Sequence, residues 1–131
     1  MQNLEQIRAS AALDAAIDTS KQAVSKLPAM IMTNGLLAAI AFADERNSQG
    51  EPKRRAMKNA VDATANHLAN PIHGISALSS ILQETQNKGT SALTKLSEGT
   101  TDSLDLQRAT SEALSFLSYL KRFTTNEEAE N

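Results

Sequence analysis

The chain has 131 residues, a net charge of −2, no Cys, no Trp, one Tyr and three Phe. The absence of Cys excludes a disulfide frame and a thiolate metal site, and a reducing, cytoplasmic setting is expected. A net charge this small argues against a simple polycationic nucleic-acid binder. The lack of β-branched and aromatic alternation argues against a sheet, leaving Leu, Ile, Val, Met and Ala to pack helix on helix.

In chain order, Asn3 to Lys26 holds no Gly or Pro and reads as one long helix. Leu4, Ile7 and Ala11 form one apolar set. Leu13, Ile17, Ser20 and Val24 form a second set off that line, so the helix bends or buries two faces. Pro28 marks a break and the start of a second helix, about Ala29 to Arg46. Met30, Ile31, Leu36, Leu37, Ile40 and Phe42 make it apolar nearly all round, as befits a helix buried mid-domain or covered by a partner. Asn34-Gly35 within it predicts a kink or a close backbone approach, since Gly in a helix interior costs about 1 kcal/mol relative to Ala.

Asn47 to Glu51 is a polar turn, and Pro52 reads as the first residue of a third helix, about Lys53 to Ala69. Its expected buried stripe is Met57, Ala60, Val61, Thr64 and Leu68, with Arg55, Lys58 and Asp62 facing away. Asn70-Pro71 introduces a fourth helix, roughly Ile72 to Glu84, and Gly89 and Gly99 bracket a short one around Leu93 and Leu96. The last helix, Asp102 to about Thr124, gathers Leu106, Ala109, Ala113, Phe116, Leu117, Leu120 and Phe123 on about a third of its wheel. Arg108, Ser111, Ser115, Ser118 and Arg122 lie opposite. The expected fold is all-α, a compact bundle of about five to six helices forming one domain over residues 1–125, with an acidic tail at 126–131.

The longest apolar stretch, Leu27 to Ala43, is broken by Pro28, Thr33, Asn34 and Gly35, so no membrane span is expected. Met1 to Ser10 carries charges and no apolar core, unlike a signal peptide. No Gly-rich phosphate loop, nucleophile elbow or paired-carboxylate motif is present, and no catalytic residue or cofactor is expected. His67 and His73 are six apart across a predicted break, whereas a helical zinc pair sits about one turn apart, so no metal is expected either. His67 borders the apolar stripe and reads as a half-buried packing residue. The run from Asn66 to Pro71 also resembles the phospho-accepting helix of sensor histidine kinases, with the His one position late and Leu68 in place of its acidic neighbour. A His-phosphotransfer-like bundle, or a helical scaffold unrelated to RNA, is therefore the alternative to a nucleic-acid role.

Basic residues are the stronger lead. Lys53, Arg54, Arg55 and Lys58 open the third helix, where cations oppose the helix dipole and a phosphate-bearing partner would compensate. Lys121-Arg122 close the last helix, where cations suit the dipole.

Two segments carry a family resemblance. Lys26-Leu27-Pro28-Ala29-Met30-Ile31-Met32-Thr33-Asn34-Gly35-Leu36-Leu37, followed by Ile40-Ala41-Phe42, resembles the signature of the small helical subunit of the type III-B CRISPR RNA-guided effector, the Cmr complex. Arg108-Ala109-Thr110, Glu112-Ala113-Leu114 and Leu120-Lys121-Arg122-Phe123 resemble that family's last helix, and Leu4 to Ala9 its opening. The last helix departs from the family in carrying Ser118-Tyr119 where Asn-Trp is usual.

The resemblance implies a non-catalytic subunit, present in several copies along larger backbone subunits and beside guide RNA and target RNA. It implies that cleavage belongs to another subunit. Its partners would be the other subunits, copies of itself and the two RNA strands. With one Tyr and no Trp for stacking, contact with the RNA backbone is the expected mode. The candidate RNA-contacting residues are Lys26, Arg46, Lys53, Arg54, Arg55, Lys58, Arg108, Lys121 and Arg122. The resemblance locates Lys26, Arg108, Lys121 and Arg122; charge and position select the others.

Overall fold

The computed structural model describes residues 3–16, 19–83, 87–98 and 103–124. Among these lie six α-helices and no strand: α1 (Leu4–Ala15), α2 (Lys21–Asn34), α3 (Leu36–Ala43), α4 (Arg55–Leu68), α5 (Lys88–Ser97) and α6 (Ser103–Phe123). The all-α expectation holds, although several boundaries move. The acidic tail expected at 126–131 lies outside the described residues.

The first predicted helix is two. α1 opens on a capping box, Asn3 accepting from the Gln6 amide at 2.8 Å while the Gln6 side chain accepts from the Asn3 amide at 2.9 Å. α2 restarts at Ser20, whose hydroxyl accepts the Ala23 amide, and the Thr19 hydroxyl donates to the Ala56 carbonyl at 2.6 Å. The two apolar sets do not map onto the two helices: Ala12, in neither set, is the buried residue of α1, Leu4 and Leu13 are exposed, Ile17 lies outside the described residues, and Val24 is buried on α2 with Leu27 and Ile31.

Pro28 does not break the chain. It lies inside α2, where its missing N–H deprives the Val24 carbonyl of a partner. The break falls instead at Gly35, with φ 94° and ψ 160°, a backbone conformation that is essentially Gly-only. A Cβ on Gly35 would meet nothing within 4 Å, so this glycine serves the turn and not the close approach expected for it. The close approach belongs to Gly89, where a Cβ would come within 2.7 Å of Val61 Cγ1.

Pro52 also differs from expectation. It pairs with Arg46 in an isolated antiparallel bridge, and α4 begins three residues later. The predicted fourth helix is absent as an α-helix. Pro71–His73 and Ser76–Gln83 are 3-10 segments separated by the left-handed Gly74 (φ 72°). Ile75, Leu78 and Ile81, all buried, recur every three residues, which is the 3-10 repeat rather than the α repeat.

α4 is the central helix, packing against α1, α2, α3, α5 and α6. Its stripe of Met57, Ala60, Val61, Thr64 and Leu68 is buried as the spacing predicts. On α6, Ala109, Ala113, Phe116, Leu117 and Leu120 are buried, whereas Phe123, expected in that stripe, is 37% exposed at the helix end. No helix among the described residues is long and apolar enough to cross a membrane.

Candidate nucleic-acid interface

The α3–α4 connection gathers four of the expected cations. The Lys53 amide donates to the Glu45 carbonyl at 3.0 Å and Arg46 pairs with Pro52, so Arg46, Lys53, Arg54 and Arg55 share one end of the bundle. Lys53 and Arg55 are exposed. Arg54 is half-buried and already partnered, with Nη1 at 2.8 Å from Glu45 Oε1 and 3.2 Å from the Phe42 carbonyl. Its guanidinium lies 3.7 Å from the centroid of the Phe42 ring, and its hydrogen bond holds the exposed Glu45 below the usual carboxylate range. Arg46 is exposed and donates to the Gly50 carbonyl and to Asn87 Oδ1.

His67 near the end of α4 meets Glu112 and Phe116 of α6, and Arg108, one turn earlier on α6, reaches the Gly74 carbonyl beyond α4. Arg108, Lys121 and Arg122 are all exposed on α6, the last two in its final turn. Lys26 is exposed on α2, whose start is tied to that of α4 through Thr19 and Ala56.

Lys58 corrects the expectation of an outward face. It is 6% exposed, with its ammonium 3.1 Å from Asp62 Oδ2 and 3.5 Å from Asp44 Oδ1. Both carboxylates in turn receive α5: Asp62 Oδ1 accepts the Gly89 amide at 2.7 Å and Asp44 Oδ2 the Thr90 hydroxyl at 2.7 Å. Asn87 gives α5 no side-chain cap, so two acids from neighbouring elements supply one and Lys58 balances their charge.

At the other end of α4 lies a polar cluster absent from the sequence expectations. Arg8 on α1 grips Glu112 on α6 with two bonds of 2.7 Å, and His67 Nε2 sits 2.8 Å from the Glu112 Oε2 atom. His73 Nδ1 is 3.9 Å from Glu112 Oε1, and the two imidazole centroids are 4.4 Å apart. His67 also stacks on Phe116 at 4.7 Å. Burial holds both imidazoles below their ordinary value of 6.5, outweighing the pull of Glu112. Burial would raise Glu112, but its hydrogen bonds from Arg8 and His67 leave it lowered.

The His67 side chain is 1% exposed, closing it to a kinase and removing the phosphotransfer alternative. The predicted break between the histidines is real, yet the 3-10 turn at Pro71–His73 folds His73 back onto His67. A signal for the cluster was present in the sequence. Glu112 falls three residues after Ala109 and four before Phe116, an acid inside an apolar stripe.

Residues 2–127 match the family of the CRISPR-associated protein (Cas_Cmr5). No curated protein and no solved structure matches the chain.

Proposed function

The chain belongs to the Cas_Cmr5 family, the small subunits of the type III-B CRISPR Cmr complex, and from that premise we propose that it works there as a non-catalytic RNA-backbone clamp. In this reading several copies stack beside the larger subunits, in the cytoplasm, and steady the guide and target strands in antiviral defence. The observation that carries it is the grouping of exposed Lys53 and Arg55 with Arg46 and Arg54 at the α3–α4 connection; Lys121 and Arg122, exposed in the last turn of α6, are assigned to the same contact. Two of these sites lie at the α4 N-terminus, where Arg54 provides no side-chain cap and phosphate oxygens would meet both free amides and cations. Lys26 adds a further cation on α2 and Arg108 one on α6, and Lys58, neutralised by Asp44 and Asp62, takes no part.

Stacking of copies draws support from apolar side chains left uncovered. Met32 is 77% exposed toward the end of α2 and Leu13 is 58% exposed on α1, and these two side chains are the candidates for the two halves of a head-to-tail contact.

The test is RNA affinity of the assembled complex, measured across salt concentrations, with Lys53→Gln and Arg55→Gln combined in every copy. Each lost phosphate contact lowers the salt slope by about one per copy engaged, so a fall of about two per copy is expected. An unchanged slope removes this end of the bundle from the interface.

A further inference from the structure

We propose that His67, His73 and Glu112 form a binding site for a divalent cation of the zinc class. Two imidazole nitrogens and one carboxylate oxygen are a donor set that zinc, cobalt and nickel accept. One donor atom from each of the three residues lies within 4.8 Å of the other two. Tetrahedral zinc holds its donors roughly 3.3 Å apart, so the 2.8 Å His67–Glu112 contact opens slightly and the 3.9 Å His73–Glu112 gap closes.

Three further features fit a metal. The His73 side chain is 3% exposed and its Nε2 has no hydrogen-bond partner, so no bond on that side of the ring opposes the shift that brings Nδ1 to a cation. Arg8 fixes the carboxylate from behind, leaving its remaining lone pairs toward the imidazoles. An open pocket of about 280 Å³, lined by Leu4, Ile72, His73, Arg108, Ser111 and Glu112, reaches two of the three ligands, giving an entry path and room for water in the fourth position.

His73 stands on a 3-10 turn that ends at the left-handed Gly74, so the ligand required to move most is on the element most able to move. The positive charge of Arg8 works against a second cation. The site is therefore expected to be moderate in affinity and to favour an anionic fourth ligand from the pocket side.

The experiment uses the full chain, stripped with chelator and titrated with Zn2+ and Co2+. Saturation at one ion per chain is expected, with a zinc absorption edge fitted by two imidazoles. His73→Gln, which leaves the Arg8–Glu112–His67 contacts in place, should weaken binding at least tenfold while circular dichroism stays unchanged. Absence of saturation at one ion per chain, fewer than two imidazoles in the fit, or full affinity in a folded His73→Gln variant would each overturn the site. The absorption-edge measurement needs no variant, so it decides the matter even where His73→Gln does not fold.

Discussion

At the C-terminal end of α4, His67, Glu112 and Arg8 satisfy one another out of water; at its N-terminal end, Lys53 and Arg55 stand in solvent beside an uncapped helix start. The same helix thus carries one set of charges that is internally closed and another left open to a partner. Lys58, between them, shows that charge alone does not separate the two kinds. Lys53 and Arg55, a few residues before it, are exposed, yet Lys58 is enclosed by Asp44 and Asp62, the acids that bond the first turn of α5. A cation becomes available to RNA when no helix end or carboxylate nearby already requires it.

The comparison breaks most sharply at the closed end. Glu112→Ala leaves the Arg8 guanidinium and the His67 imidazole without their acceptor, and a loss of about 3 kcal/mol is expected in urea unfolding. Arg8 is 22% exposed, which places the effect at the lower end of the range for a broken buried pair. A loss under about 0.5 kcal/mol, the level of an ordinary surface change, would show the cluster to be no more closed than the basic end.

Next in size are the two glycines. Gly89→Ala drives a methyl into Val61 Cγ1 between α5 and α4, costing about 2 kcal/mol. Gly35→Ala has open space but an unfavourable φ, costing about 2 kcal/mol through backbone strain. A larger residue separates the causes. Gly89→Val should be much worse than Gly89→Ala, while Gly35→Leu should resemble Gly35→Ala in its melting temperature.

A smaller effect follows from pH, measured in chelator-containing buffer. His67 and His73 bind protons less readily in the folded state than in the unfolded chain, whose value is near 6.5. The unfolded state therefore holds more protons as pH falls below about 6.5, and stability declines on acidification. Glu112, lowered from 4.5, adds a further loss as its carboxylate is protonated below that value. The groups facing the imidazoles are Arg8 from α1, Glu112 from α6 and each other, so protonation adds positive charge beside Arg8. A urea midpoint that is flat from pH 7 to 5.5 would contradict the burial of these histidines.

The smallest stability effect is expected at the open end. Arg55→Gln should shift folding by less than about 0.5 kcal/mol, because its exposed side chain serves no structural role. Arg54→Gln should cost more, through its contacts with Glu45 and the Phe42 ring and carbonyl. Equal effects would erase the distinction between the partnered and the free arginine.

Periodicity located the buried stripes of α4 and α6 because the apolar residues of each recur at helical spacing, on α6 from Ala109 to Leu120. Periodicity could not locate the fresh start of α2 at Lys21, since a side-chain cap at Ser20 opens that helix without Gly or Pro. Pro28 misled for the complementary reason: a long helix packed on α6 tolerates one missing hydrogen bond. The basic end was legible because its cations are consecutive in sequence. The Arg8–His67–His73–Glu112 cluster joins α1, α4, a 3-10 turn and α6, and no local pattern links such distant positions. Glu112 within its apolar stripe was the one visible clue.

The central claim, that the open basic end contacts RNA, is tested most directly by lysine acetylation footprinting of the assembled complex before and after RNA digestion. Lys53 and Lys121 are expected to be protected while RNA is present and to become reactive once it is removed, with Lys58 unreactive throughout because of its burial. Equal reactivity of Lys53 and Lys121 with and without RNA would contradict the account.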